Sequence, residues 1–307
     1  MKHEKSKKPG IAPLEVAQLL AGLENGPVDK ALLKYLAAFF KNVPVRHAAF
    51  IHVVPPTDFF SVNEYIDNIG EDLQNGEIQV RDQIKGMLEK ELKGEETKYS
   101  FWVGEGNPLE VLLRNAEELN SDLVVIGQKS NTRSHGITAK NFARHVKCNA
   151  LVVPEEAEFK LEKILVPVDF SDNSGKALRT AVALAKSLNN KPEIEVLHFF
   201  ELPPNVGAYR FSEIKLIALI KEDREEALPE FVDKYVSEED QKGMTLTVSE
   251  SVRRPIGQHI VQYANEHGHN LVVTGAKGHS KLELLLLGSV TEKMLANTNC
   301  LPVLIVK

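Results

Sequence analysis

Two periods alternate along the 307-residue chain. Short runs such as Lys163-Ile-Leu-Val-Pro-Val-Asp169 are apolar at nearly every position, which predicts strands buried on both faces. Between them the apolar positions fall at helical spacing, as with Ala177, Leu178, Ala181, Leu184 and Ala185 within 173–188. The second half therefore reads as strand 163–169, helix 173–188, strand 193–200, helix 212–236 and strand 245–252. Helix 255–267 follows, opened by Pro255 as proline opens a first turn. Strand 271–274, helix 289–297 and strand 301–306 complete it. The first half reads in the same order: strand near 16–21, helix 28–41, strand 47–54, helix 62–93, strand 97–103, helix 108–119, strand 122–126, helix 138–147 and strand 150–153.

The order repeats because the sequence does. Lys30-Ala31-Leu32 returns as Lys176-Ala177-Leu178, and Ile51-His52-Val53 as Leu197-His198-Phe199, each 146 residues later. Asp122-Leu-Val-Val-Ile-Gly127 returns as Asn270-Leu-Val-Val-Thr-Gly275, and Cys148 as Cys300. Alternating strands and helices with near-continuous apolar strands imply a parallel sheet covered on both faces. The expected fold class is α/β: two tandem doubly wound domains, each a five-stranded parallel sheet with helices on both faces. The boundary is placed between 1–156 and 157–307, with the acidic linker Pro154 to Glu162 between strands. Ligands of such sheets sit beyond the carboxyl ends of the strands, at the switch point.

Composition narrows the function classes. Acidic residues outnumber basic ones by 43 to 37, giving a net charge of −6, so a broad nucleic-acid surface is not expected. Two cysteines exclude a disulfide framework and a four-cysteine metal cage. No apolar run is long enough for a transmembrane helix. Lys2, Lys5, Lys7 and Lys8 precede a mildly apolar stretch, Ile11 to Leu23. Pro13, Glu15 and Gln18 interrupt it, and the repeat needs it as a strand, so the start reads as a solvated basic tail of a cytoplasmic protein rather than a signal peptide.

The strongest local signal is Gly275-Ala-Lys-Gly278, then nine residues, then Gly288-Ser289-Val-Thr291. Gly275 ends a strand, where glycine permits close approach of another backbone. Gly288 and Ser289 open a helix, whose free amides and dipole suit a phosphate. Ser289 and Thr291 add hydroxyls, and Lys277 and Lys281 add charge. The competing reading is structural: Ser289-Val-Thr-Glu292 is a capping box that any helix could use. The spacing matches neither a P-loop nor a dinucleotide fingerprint.

The spacing G-2x-G-9x-G-[ST] after the fourth strand resembles the nucleotide loop of the universal stress protein family. Val166-Pro-Val-Asp169-Phe-Ser171 resembles that family's first strand, and Val196-Leu-His198-Phe199 its second. The resemblance covers both halves and implies a tandem member. In ATP-binding members the Asp ending the first strand and the residue after the second-strand His contact adenine, which implies Asp169 and Phe199 here. Ribose and phosphates would fall to Gly275, Ala276, Lys277, Gly278, Gly288, Ser289, Val290 and Thr291. Pro167, Val168 and Thr274, at the neighbouring strand ends, are counted in the same site. The first half departs from the pattern: Gly127 remains, but Ser130 replaces the second glycine, Gly136-Ile137 replaces Gly288-Ser289, and the spacer is five residues. The Asp position falls on Leu23 or, with a gap, on Glu24. A degenerate first domain without ATP is expected.

Other candidates read as structural. His52 and His198 end strands in packing positions. His267 and His269 lack further metal ligands. His279 with Ser280 reads as exposed loop, and Arg253-Arg254 as a strand end. Asp223 and Glu226, with the helix around Glu89 to Glu96, form a solvated face. Leu282 and Leu284 to Leu287 would pack a short helix on the sheet, with a partner contact as the alternative.

The functional expectation is binding of ATP, AMP or ADP by the second domain, with Mg²⁺ carried on the phosphates of a triphosphate. The alternatives are slow hydrolysis or phosphoryl transfer, for which Lys277 and Lys281 are clamps but no base can be named, and a scaffold holding another small molecule. No nucleic-acid or membrane partner is expected. The resemblance implies pairing of Leu151 to Val153 with Val303 to Val306 within the chain; a further homodimer is left open.

Overall fold

The computed structural model describes residues 8–54, 66–129, 137–202, 213–251, 255–278, 287–298 and 300–307. The chain divides into two compact units: Val16–Phe159, and Lys160–Lys307 together with the described part of Met1–Glu15.

The first unit contains β1 (Val16–Leu23), α1 (Pro27–Phe40), β2 (Val45–Val54), α2 (Ile66–Glu91), β3 (Lys98–Glu105), α3 (Pro108–Glu118), β4 (Leu123–Gln128), α4 (Ile137–His145) and β5 (Asn149–Pro154). Its strands lie in the order β3-β2-β1-β4-β5. The second contains β6 (Lys163–Pro167), α5 (Asp172–Ser187), β7 (Glu193–Phe200), α6 (Glu213–Tyr235), β8 (Thr245–Glu250), α7 (Ile256–Glu266), β9 (Leu271–Gly275), α8 (Ser289–Leu295) and β10 (Val303–Val306). Its order is β8-β7-β6-β9-β10. These strand pairs are parallel throughout. The apolar runs explain the layering: every residue of β9 and β10 is buried, so helices must cover both faces. The outer strands β3 and β8 carry the mixed sequences, leaving Tyr99 and Leu246 exposed.

The repeat extends to the backbone. Leu19 pairs with Leu123 as Ile164 pairs with Leu271. Asn25 and Phe170, matched by that register, both take a left-handed conformation, with φ of 59° and 64°. A phenylalanine is uncommon there; its ring packs on His198 at 4.4 Å and on Phe231 at 5.6 Å between centroids.

The first strand begins at Val16, where it was expected, but the stretch before it is not a free tail. Before it, residues 8–15 join the second unit, not the first domain in which 1–156 places them. Ile11 is buried, and its amide donates to Asp240 Oδ2 at 2.8 Å. Lys186 Nζ donates to the Ile11 carbonyl at 2.7 Å and pairs with Asp240. The Leu14 amide donates to Ala183 O at 2.9 Å, and Ser187 Oγ to Leu14 O at 3.0 Å. The α5 side chains thus satisfy two carbonyls of the strap, and one α5 carbonyl, Ala183 O, accepts from it in return. Burial alone would raise the Asp240 carboxyl. The bonds from Lys186, the Ile11 amide and Ser237 outweigh it and hold the group below its ordinary value. Its contribution is therefore complete at neutral pH and is lost as pH falls through that depressed value. Asp240→Asn is expected to lower the stability of the second unit by about 2 kcal/mol, read by urea unfolding, and to open the strap to proteolysis. Lys8 is exposed. Lys2, Lys5 and Lys7 lie outside the described residues.

Candidate functional site

In the second unit the strand order reverses between β6 and β9, and a crevice opens beyond their carboxyl ends. It encloses a cavity of about 250 Å³. Pro167, Val168 and Asp169 enter from the end of β6, Phe199 from β7, and Thr274 and Gly275 from β9. Lys277 and Gly278 follow in the loop, and Gly288, Ser289, Val290 and Thr291 lead into α8. Every described residue of the expected nucleotide site thus lines the cavity except Ala276. That residue is buried behind it, where its amide donates to Val306 O at 2.8 Å and its carbonyl accepts from Gly288 at 2.7 Å. Ala276 therefore ties the loop to β10 and to the start of α8.

Two close approaches hold the loop. A Cβ on Gly275 would lie 2.9 Å from the Asn173 backbone, so β9 passes against the first turn of α5. A Cβ on Gly278 would lie 2.4 Å from Asp169 Oδ2. The opposite oxygen, Asp169 Oδ1, accepts from Ser171 N at 3.1 Å and Ser171 Oγ at 2.6 Å. Ser171 is in turn the N-cap of α5 and accepts from Ser174 N. A Cβ on Gly288, by contrast, meets nothing closer than 3.5 Å.

Gly288, not Ser289, is the N-cap of α8, and no side chain caps the helix. The expected capping box does not form, so the Ser289, Val290 and Thr291 amides precede the first helical bond, Glu292 N to Gly288 O. Ser289 is exposed. The Thr291 hydroxyl is buried and donates to Gly275 O at 3.1 Å. It fastens α8 to β9. Lys281, His279, Ser280, Leu282, Leu284 to Leu286 and Arg253-Arg254 lie outside the described residues, as do Ser130 and Gly136.

Sequence reasoning missed the opposite wall. Leu197 from β7, Ser174 from α5, and Ile256 and Ile260 from α7 also line the cavity. The isoleucines stand four residues apart at a helix start beyond a strand end, a spacing that marks one helix face. His198 is buried beside the site, with Nδ1 2.8 Å from Val168 O. Burial holds its imidazole below the ordinary value, so it is neutral and donates to that carbonyl. His52 stands 2.9 Å from Leu23 O in the same way.

That match settles the first unit's register: Leu23 takes the place of Val168, and Glu24 the place of Asp169. Gly127 and Lys129 correspond to Gly275 and Lys277. Here the two charged groups meet each other, Lys129 Nζ lying 2.9 Å from Glu24 Oε2. Asp29 accepts from the amides of Glu24, Asn25 and Gly26, and the Val28 side chain crowds Gly127, where a Cβ would fall 2.3 Å from it. Burial raises the Asp29 carboxyl, against the pull of those amides.

His267 and His269 do not converge on a common ligand. His267 is exposed and contacts Tyr263 O, while His269 is buried against Glu195 at 3.0 Å. Among the described residues no group of three or more His, Cys, Asp or Glu could hold a metal ion. Among the same residues no helix is long and apolar enough to cross a membrane.

The family model described as "Universal stress protein family" matches residues 17–154 and again 160–307. Universal stress protein MJ0531 of Methanocaldococcus jannaschii is 35% identical over 147 residues, covering 48% of this chain and 82% of the relative. Stress response protein NhaX of Bacillus subtilis is 30% identical over 172 residues, covering 48% and 99%. Among solved structures, a universal stress protein from Archaeoglobus fulgidus superposes with a TM-score of 0.63 at 15% identity, covering 94% of this chain and 96% of that one, a likeness of fold.

Proposed function

The chain belongs to the universal stress protein family, and from that premise we propose that its second unit binds ATP or a related adenine nucleotide. One observation carries the reading: residues chosen from three separate stretches of sequence, around Asp169, Phe199 and Gly275 to Thr291, line a single cavity. The cavity has two chemically different ends. Leu197, Phe199, Ile256 and Ile260 offer a flat apolar slot for a purine. Lys277, the glycine loop and the uncapped amides before α8 offer donors and positive charge to phosphates. Mg²⁺ would enter on the phosphates of a triphosphate, and no protein ligand for it is assigned. The proposal is a binding function in the cytoplasm, with occupancy read by other proteins; no residue is assigned a catalytic role.

The first unit is proposed to hold no nucleotide. Its Lys129 is paired with Glu24, whose carboxylate offsets the charge that a phosphate would meet. Calorimetric titration with ATP is expected to give one site per chain. Two equivalent sites would overturn the assignment of the first unit, and no binding at all would overturn the proposal.

A further inference from the structure

Glu195 is a buried carboxylate between Ile194 and Val196 in β7. It is 4% exposed, at the end of the sheet opposite the crevice. Its Oε1 accepts from Tyr263 OH at 2.6 Å and Thr247 Oγ1 at 2.7 Å. Its Oε2 faces His269 Nε2 at 3.0 Å and Lys163 Nζ at 3.7 Å. His269 Nδ1 is buried and has no hydrogen-bond partner. Tyr263 belongs to α7, the helix that supplies Ile256 and Ile260 to the cavity wall. Its ring meets Phe199, a cavity residue, edge-on at 5.9 Å, and stacks on His267 at 3.9 Å. One turn earlier His259 lies flat on Phe199 at 4.8 Å, with Nδ1 3.2 Å from Ser251 Oγ. One helix is thus pinned at its far end by a buried ionisable cluster and forms the site wall at its near end.

The fold does not need this cluster. Strand register places Ala49 of the first unit where the second has Glu195, and repeat spacing places Asn115 and Ser121 where it has Tyr263 and His269. Ser121 and His269 keep the same backbone bond, to Ala116 O and Ala264 O. The ionisable version occurs only in the unit with the complete glycine loop.

We infer that nucleotide affinity in the second unit is linked to proton uptake at His269, through the Glu195–Tyr263 tether that holds α7 against the sheet. The inference rests on the proposed nucleotide site. Neutral His269 donates Nε2–H to Glu195 and leaves Nδ1 as a bare acceptor. A proton on Nδ1 adds a donor where no acceptor stands, and draws Glu195 toward a second positive charge beside Lys163. The cluster then gains water or rearranges, Tyr263 loses its acceptor, and α7 loosens with Ile256 and Ile260. Burial holds His269 below its ordinary value, and Lys163 adds to that, while Glu195 opposes it. Burial would raise Glu195, yet Tyr263, Thr247, His269 and Lys163 together hold it low. Burial and Glu195 push Tyr263 up to about 12, so its hydroxyl stays a donor throughout. Because the folded imidazole binds its proton less readily than the unfolded one, stability is complete above the ordinary histidine range and falls as pH drops through it, while affinity falls at the lower pH where folded, nucleotide-free His269 takes up its proton. Linkage also requires that bound nucleotide resist protonation of His269.

The test compares the full-length protein with His269→Gln, whose amide keeps the donor to Glu195 and does not titrate. ATP affinity of the wild type is expected to fall about tenfold more than that of the variant between pH 8 and pH 5.5. Protonation of the phosphates themselves weakens both equally and cancels. Tyr263→Phe, which removes the tether, should bind weakly at both pH values. Equal pH profiles for wild type and His269→Gln would overturn the linkage. Amide exchange of α7 without nucleotide, corrected for intrinsic rates, decides the same point independently of binding. Opening that grows on acidification in the wild type but not in His269→Gln supports the switch, and equal opening refutes it. Failure of ATP to bind at pH 8 would instead strike the proposed function.

Discussion

Gly288→Asp is expected to lower ATP affinity at least about a hundredfold while leaving the fold intact, because a carboxylate facing phosphates costs several kcal/mol. The backbone at Gly288 has φ −74° and ψ 150°, which any residue adopts. A Cβ there meets only ordinary contacts, the nearest at 3.5 Å. Aspartate is moreover a preferred N-cap, and its carboxylate would accept from the α8 amides that no side chain caps. The protein would thus supply its own anion where the nucleotide's would bind. Thermal stability should stay level or rise slightly as affinity collapses. Gly288→Ala is the control: it adds bulk without charge and should cost far less affinity. Retained affinity in the aspartate variant, measured by calorimetry, would remove α8 from the site.

Gly257→Ala should act in the opposite sense, through the fold. A Cβ on Gly257 would stand 2.3 Å from Val290 O, 2.7 Å from Lys293 Cβ and 3.0 Å from Met294 N. Two of the three obstacles are backbone and cannot rotate away. The helices α7 and α8 touch at this point, and both border the cavity. Overpacking of this kind costs about 3 kcal/mol, which for a domain of this size lowers Tm by roughly 10 °C. Affinity should fall as well, since separating α7 from α8 moves Ile260 away from Val290. Scanning calorimetry and ATP titration of one preparation test both effects. An unchanged melting profile would show that the two helices are not held so closely.

The strand–helix order was legible because each strand is a short apolar block, and strand 193–200 falls on β7 to the residue. The glycine loop was legible because Gly275 and Gly278 stand where a Cβ would strike backbone or the Asp169 carboxylate. What escaped depends on contacts distant in sequence. Ala276 and Thr291 look like ligand contacts on spacing alone, but strand carbonyls of the same unit, Val306 O and Gly275 O, accept from the Ala276 amide and the Thr291 hydroxyl. Ile256 and Ile260 carry no signature beyond helical spacing. Glu195 drew no notice in the sequence, because its partners Tyr263 and His269 lie about seventy residues away. The choice between Leu23 and Glu24 needed strand register, which a single sequence does not contain.

The strap has a consequence for how the polypeptide comes to its final state. Ile11 is made before its partners, since Lys186 and Asp240 lie 175 and 229 positions further on. During synthesis the leading segment waits without its acceptors while an entire unit forms behind it. Closing so long a loop is slow and entropically costly. The strap should therefore dock late. A version of the carboxy-terminal half begun at residue 160 would emerge with the Asp240 carboxylate exposed to water, and a separate peptide spanning 8–15 should restore part of its stability.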